Sequence, residues 1–303
     1  MRFNLMFPMR AVKHWNTWAD GATLGEIARL VEDAGFDGFS MSEHPYPDKE
    51  WLAHGGHHAF DPFVSLSLAA AATTRLRVMT YILVAGYRNP YLTAKAAASL
   101  DLLSGGRFTL GTGAGYLKAE FEALGADFER RGALLDEAID AWKATWAGRD
   151  HDGPEFGVPG HIALPLPATD GGPPIWIGGN GAAAQRRVVD VADGWMPMAA
   201  SGEMAAITRA RPLEDIATLA DWISGVNKRR ADIGRDPADV SFVPFEAEGL
   251  VSGEGARFCA ALRPRLDDYA EAGVTWITIE PASRTLTDFR TDIDAVSAQL
   301  LGR

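Results

Sequence analysis

Cysteine is nearly missing. Cys259 is the one thiol in 303 residues, so no disulfide can form within the chain, and a cytoplasmic location is expected. No apolar run is long enough to span a bilayer, which argues against a membrane protein. Residues 1–7 run directly into a strand-like stretch and lack the basic, apolar, small-residue order of a secretory leader. Positive charge is also scarce: 29 Lys and Arg against 40 Asp and Glu leave a net charge of -11. The basic residues do not gather into the face that a nucleic-acid duplex requires, so no nucleic-acid partner is expected. Small anions are a separate matter, because backbone N–H groups alone can hold a phosphate. A His-Glu-x-x-His pattern and a Cys pair are both absent, and no metal is expected. His54, His57 and His58 share a glycine-containing loop whose nearest acid is Asp61, which suits a lid better than a metal site.

What is there is an ordinary globular composition, 47% hydrophobic and 23% charged, with enough apolar surface for a large core. Short apolar runs alternate with amphipathic stretches, the pattern of a parallel α/β fold. Strands are predicted at Arg2–Phe7, Gly38–Ser42, Leu76–Val84, Arg107–Gly111, Ile175–Ile177, Trp195–Met198, Ser241–Phe245 and Thr275–Glu280. Thr23 with Glu26 reads as a capping box, followed by Leu24, Ile27, Val31 and Ala34 at helical spacing and by Gly35 as the stop. Asp61 caps a helix reaching Ala72, and Pro90 opens one reaching Leu103. Leu135, Ile139, Trp142 and Trp146 share one face of a helix over Leu134–Trp146, and a last helix covers Leu286–Leu301. Two excursions interrupt the rhythm. Residues 148–173, rich in Gly and Pro, read as a cover over the barrel mouth in the form of a hairpin. Residues 200–238 hold a helix with Leu219, Trp222, Ile223 and Val226.

Eight strands separated by helices favour one closed (β/α)8 TIM barrel over residues 1–303. No Gly-x-Gly-x-x-Gly follows the first strand, as an open dinucleotide-binding sheet would show. In such a barrel the reactive groups sit at the C-terminal ends of the strands. The turn Gly178-Gly179-Asn180-Gly181 joins a strand to a helix start, where glycines admit close backbone approach and unpaired N–H groups face an anion. A phosphate is expected there, with Arg186 and Arg187 either adding charge or facing solvent. Glu43-His44 ends the second strand, and Pro45 and Pro47 stop its continuation; a rim His can exchange a proton near neutral pH. The run Gly111-Thr112-Gly113-Ala114-Gly115-Tyr116 suggests backbone approach to something flat or anionic. Glu120 and Arg131 downstream read as a structural ion pair.

Several ordered blocks carry a resemblance over nearly the whole chain. They are Tyr87-Arg88-Asn89-Pro90, Ala94-Lys95, the stretch Leu100 to Arg107, the glycines from Gly111 with Glu120, Pro173 to Asn180, and Ala192-Asp193-Gly194-Trp195. Together they resemble the luciferase-like monooxygenase superfamily and, within it, the oxidoreductases that use the deazaflavin coenzyme F420. The resemblance implies a non-prolyl cis peptide in a bulge of the third strand, behind the cofactor ring, at Tyr81–Ile82 within Thr80-Tyr81-Ile82. It makes His44 the rim histidine, with Glu43 orienting it or tuning its proton affinity. It places the cofactor phosphate at Gly178, Gly179, Asn180 and Gly181. Phe7, Ser42, Gly111, Gly113 and Tyr116 complete the expected cofactor contacts, and Phe7, Trp15, Trp51 and Tyr116 are expected to line the substrate side. Light-emitting flavin enzymes of the superfamily carry an Arg where this chain has Ala114, which favours F420 over FMN.

The implied activity is hydride transfer between F420 and a small organic substrate. The alternatives are an FMN-dependent monooxygenase fed by a separate flavin reductase and a non-catalytic flavin-binding protein. An F420 reductase is a possible cofactor supplier, and a homodimer is expected because relatives associate through barrel helices.

Overall fold

The computed structural model describes residues 1–9, 20–247 and 252–302. Nine β segments appear in chain order: β1 (Arg2–Met6), β2 (Gly38–Met41), β3 (Arg77–Thr80), β4 (Leu83–Val84), β5 (Phe108–Gly113), β6 (Ile175–Gly178), β7 (Gly194–Met196), β8 (Asp239–Phe242) and β9 (Trp276–Ile279). All their pairings are parallel. β1 pairs with both β2 and β9, and β3 and β4 both pair with β5, so the sheet closes into an eight-stave (β/α)8 barrel. The helices are α1 (Gly21–Ala34), α2 (Lys49–Ala53), α3 (Pro62–Ala72), α4 (Pro90–Ser104), α5 (Lys118–Ala123) and α6 (Arg131–Trp146). They continue with α7 (Ala182–Asp190), α8 (Gly202–Thr208), α9 (Ile216–Asp232), α10 (Gly255–Leu262), α11 (Leu266–Glu271) and α12 (Leu286–Val296). No described helix is long and apolar enough to cross a membrane.

The third predicted strand, Leu76–Val84, is one stave broken in two. Met79 pairs with Thr109 and Leu83 with Thr112, so four steps on one side face three on the other. The extra residue makes a bulge at Tyr81–Ile82, whose peptide bond is cis, as expected. Two other strands end before prolines that the predicted ranges include. β7 stops at Met196 and β8 at Phe242, because Pro197 and Pro244 have no N–H to continue a ladder.

The barrel interior is packed solid. Met79, Trp176, Met196 and Trp276 form a plug against which Tyr81 and Ile82 rest. A Cβ on Gly194 would lie 2.5 Å from Trp176, so that indole fits only because the neighbouring strand has no side chain there. A larger core of Leu, Ile, Val and Phe side chains fills the space between strands and helices. Trp142 and Trp146 stack within it on the buried face of α6.

Helix caps differ from the prediction in one place. Asp20, not Thr23, caps α1 by accepting the Thr23 N–H, and Glu26 pairs with Arg290 of α12. An acid at that position satisfies the free N–H and faces the positive helix end. Gly35 ends the helix at φ 97° as predicted.

The block Leu100 to Arg107, prominent in the resemblance, lies at the end of the barrel away from the site. Arg107 donates to the carbonyls of Ala70, Thr73 and Leu76, and Asp101 accepts from Thr169. Glu32 closes the same end by accepting the N–H groups of Thr74, Arg75 and Leu76.

The excursion after α6 contains no strand and does not cover the mouth. It runs along the outer flank of α4, where Tyr91 reaches the Phe156 carbonyl, Lys95 the Leu164 carbonyl and Asp101 the Thr169 N–H. Its chain enters from the C-terminus of α6, the end opposite the mouth. The excursion after β7 does rise at the mouth. It is pinned by the bridge Ala200–Leu213 before α9 returns along the barrel.

Candidate functional site

The end of β2 delivers Glu43 and His44 to the rim, where Pro45 ends the strand direction. Glu43 is buried. One carboxylate oxygen accepts from the Val84 N–H at 2.7 Å and the other from Arg88 Nε at 2.8 Å. Arg88 also reaches Asp61, which caps α3. Burial pushes the Glu43 carboxyl up, and the Arg88 guanidinium opposes it. Glu43 thus ties β2 to β4 and makes no hydrogen bond to His44. The expected role of orienting that imidazole falls to another acid.

That acid is Glu120, fully buried at the start of α5. Its Oε2 lies 3.1 Å from His44 Nδ1 and accepts from the Tyr87 hydroxyl at 3.0 Å, and its Oε1 accepts from the Tyr46 N–H at 2.9 Å. Burial and the Glu120 charge hold the Tyr87 phenol protonated far above its usual range. With two donors already committed to Glu120, His44 meets it as a third through Nδ1–H. That tautomer leaves Nε2 to exchange a proton. The Glu120–Arg131 ion pair expected from the sequence does not form. Arg131 instead lies over Phe128 and donates to its carbonyl. The sequence did carry a signal for Glu120, which stands among the motif residues, but nothing in its spacing assigned it a partner.

The loop that carries Trp51 and His57 supplies more than expected. Trp51 lies against the His44 ring at 4.4 Å between centroids with the planes tilted by 37°, His57 meets it edge-on at 4.9 Å, and Tyr116 lies at 6.5 Å. His54 donates to or accepts from nothing catalytic; its Nδ1 is 2.7 Å from the Glu50 carbonyl. The His58 carbonyl lies 3.1 Å from His57 Nδ1. Among the described residues no group of three or more His, Cys, Asp and Glu is arranged to hold a metal. Trp15 lies outside the described residues. Phe7 is fully buried against Phe39 and Phe60, a core position and not a surface offered to a ligand. Ser42 Oγ is 3.4 Å from Met9 Sδ.

Beside the His44 group, the bulge Thr80–Ile82 forms the floor. The Tyr81 hydroxyl points into the barrel, 3.5 Å from Ser241 Oγ, and its burial raises its proton affinity. The strand glycines exist for this bulge. A Cβ on Gly111 would lie 2.1 Å from the Thr80 carbonyl oxygen, and one on Gly113 would lie 2.5 Å from Ile82 Cδ1. Their close approach is to the chain's own backbone and side chains, so a flat or anionic ligand is not needed to explain them.

The turn at Gly178–Gly181 is latched rather than loose. Gly179 takes φ 114°, its N–H donates to the Met196 carbonyl, and its carbonyl accepts from Trp195 Nε1. The Asn180 amide is consumed internally: Nδ2 donates to the carbonyls of Met198 and Arg211, and Oδ1 accepts from the Met198 N–H. Asn180 therefore shapes the turn and has no free amide for a ligand. Gly181 caps α7 without any side-chain hydrogen bond, and the first turn carries only alanines. These uncapped N–H groups fit a phosphate. Arg186 and Arg187 contribute nothing to it, because both pair with Asp136.

Comparisons with known proteins agree with this architecture. The chain is 31% identical over 186 residues to the F420-dependent glucose-6-phosphate dehydrogenase of Nocardia farcinica, covering 59% of this chain and 54% of that protein. It is 32% identical over 201 residues to the phthiodiolone/phenolphthiodiolone dimycocerosates ketoreductase of Mycobacterium tuberculosis, covering 64% of this chain and 48% of that one. The matched stretch thus spans about half the length of these two relatives. The solved structure of monooxygenase RslO1 from Streptomyces bottropensis superposes with a TM-score of 0.77 over 100% of this chain and 99% of that one, at 19% identity, a likeness of fold. The profile of the luciferase-like monooxygenases matches residues 1–247, and the chain belongs to that family.

Proposed function

We propose that this chain transfers hydride between coenzyme F420 and a small organic substrate that interconverts between alcohol and carbonyl. The observation that carries the proposal is the His44–Glu120 pair at the mouth of the barrel. Hydride added to a carbonyl carbon leaves an oxygen that needs a proton, and hydride removed from an alcohol requires one to leave. His44 Nε2 performs that transfer, while Glu120 holds the ring and fixes its Nδ1–H tautomer. When bound, F420 supplies a two-electron hydride donor or acceptor. The uncapped start of α7 at Gly181 would hold its phosphate, and the bulge at Tyr81–Ile82 would back its ring. Trp51, His57 and Tyr116 surround the His44 ring and would screen the reacting atoms from water. The F420-dependent dehydrogenase and the ketoreductase among the relatives support this reading.

Titration of the purified protein with F420 and with FMN, followed by ring absorbance, tests it. Saturable binding of F420 without binding of FMN is expected. Binding of FMN alone, with oxygen consumed when the flavin is supplied reduced, would establish a monooxygenase dependent on a separate reductase. Binding of either cofactor with no redox exchange would leave a flavin-binding protein. We also propose a homodimer, supported by exposed Val64 and Leu68 on α3 and Leu92 and Leu103 on α4; sedimentation at the monomer mass would refute it.

A further inference from the structure

Two arginines at the rim share one aromatic ring. The guanidinium of Arg131, the first residue of α6, lies 4.0 Å from the Phe128 ring centre, and that of Arg209, just after α8, lies 4.9 Å from the same centre. Among the described residues neither has a carboxylate within ion-pairing distance, in a chain whose acids outnumber its bases. The surrounding acids are already engaged. Asp127 accepts the N–H groups of Glu129 and Arg130, Glu129 pairs with Lys118, Glu155 with Arg130, and Asp136 with Arg186 and Arg187. Two like charges placed together without an acid between them repel. Arg209 also holds φ 54°, the one positive φ outside glycine among the described residues. It is the left-handed C-cap of α8, with its N–H donating to the carbonyls of Ala205 and Ala206.

The position of the pair gives it a purpose. The Arg211 carbonyl takes the Asn180 amide, so the segment carrying Arg209 is tied to the Gly178–Gly181 turn. On the other side Phe128 packs on Phe121 at 5.4 Å, and Phe121 on Tyr87 at 4.7 Å, the residue that donates to Glu120. The arginines therefore stand beside the phosphate turn, on an aromatic ladder that leads to His44. We propose that Arg131 and Arg209 form a carboxylate-binding subsite for an acidic chain that continues from the cofactor phosphate. The inference rests on the F420 reading. The phosphate of F420 is an internal diester that continues into a glutamate chain, whereas that of FMN is a terminal monoester with nothing beyond it. The guanidinium planes are braced by Phe128 and offer paired N–H donors to a carboxylate.

The test compares the affinity of the whole protein for F420 with its glutamate chain and for F420 trimmed of its glutamates. The wild type is expected to bind the intact form about tenfold more tightly at low salt, a preference that shrinks as salt screens the solvent-accessible pair. The double variant Arg131→Gln with Arg209→Gln is expected to bind both forms with the affinity of the trimmed one. The double Lys variant should keep part of the preference. Unchanged affinity for the trimmed form in the Gln variant shows that the fold and the phosphate turn are intact. Equal affinity of the wild type for both forms overturns the subsite while leaving the F420 reading in place. A preference that survives in the Gln variant overturns it as well. So does loss of both forms together, since the pair would then serve the fold or the phosphate. If the wild type binds neither form, the F420 reading fails and the subsite fails with it.

Discussion

Replacing Glu120 by Gln changes one oxygen for an amide nitrogen in a fully buried site with three donors around it. The amide has two ways to sit. With its nitrogen at the Oε1 position it would face the Tyr46 N–H, donor against donor, and a backbone N–H cannot turn away. With its nitrogen at the Oε2 position it faces the Tyr87 hydroxyl, which can rotate to accept, and His44 Nδ1, which can accept if the ring proton moves to Nε2. The second arrangement avoids opposing two donors, so Glu120→Gln is expected to switch His44 from the Nδ1–H to the Nε2–H tautomer. Charge-assisted bonds of roughly 1.5–3 kcal/mol become neutral ones of roughly 0.5–1.5, and relief from burying a charge offsets part of the loss. The net destabilisation is about 2 kcal/mol, a drop in melting temperature of roughly 3 °C for a chain of this size. Nitrogen-15 NMR of labelled histidines reads the tautomer directly, with His44→Gln assigning the signal among the seven histidines. The same variant should lower turnover by about 10²–10⁴-fold, because the accepting nitrogen no longer faces the substrate. A His44 that remains Nδ1–H in Glu120→Gln, with an unchanged melting temperature, would refute the pairing and the mechanism drawn from it.

Two further outcomes follow from the frame around the site. Gly111→Ala places a Cβ 2.1 Å from the Thr80 carbonyl, between two strands that cannot part, whereas a Cβ on Gly181 meets nothing within 4 Å. Gly111→Ala should cost more than about 3 kcal/mol or abolish soluble protein, and Gly181→Ala about 1 kcal/mol or less; chemical denaturation of the two separates them, and a Gly111→Ala as stable as wild type would contradict the bulge. Glu32 offers a pH test. Burial pushes its carboxyl up, but the N–H groups of Arg75, Leu76 and Thr74 together bring it below its usual value of 4.5. The folded pKa is the lower one, so its contribution is present above about pH 4.5 and lost as pH falls through the folded value. The stability gap between wild type and Glu32→Gln should therefore narrow on acidification, measured as urea midpoints, and a gap that widens would show the sign to be wrong.

Much of the frame is local chemistry, and the sequence by itself determined it. The alternation of apolar runs and amphipathic helices, Gly35 in its left-handed position, Asp61 and Pro62 at a helix start and the uncapped Gly181 all follow from residues close in the chain. A barrel was legible because its repeat is short-range and regular. The motif blocks located the rim, the bulge at Tyr81–Ile82 and the latched turn at Gly178–Gly181. Partner choice was not legible. Glu43 is adjacent to His44 in sequence, yet it turns to Arg88, while Glu120, 76 positions away, holds the imidazole. Alternating side chains on a strand point to opposite faces, so neighbours in sequence are the residues least able to meet. The side-chain amide of Asn180 is taken by Met198 and Arg211, and Gly111 and Gly113 lie against Thr80 and Ile82, contacts that no spacing in the sequence announces. Spacing specifies which way a residue faces, but what it meets there is set by strands and loops brought together only when the barrel closes.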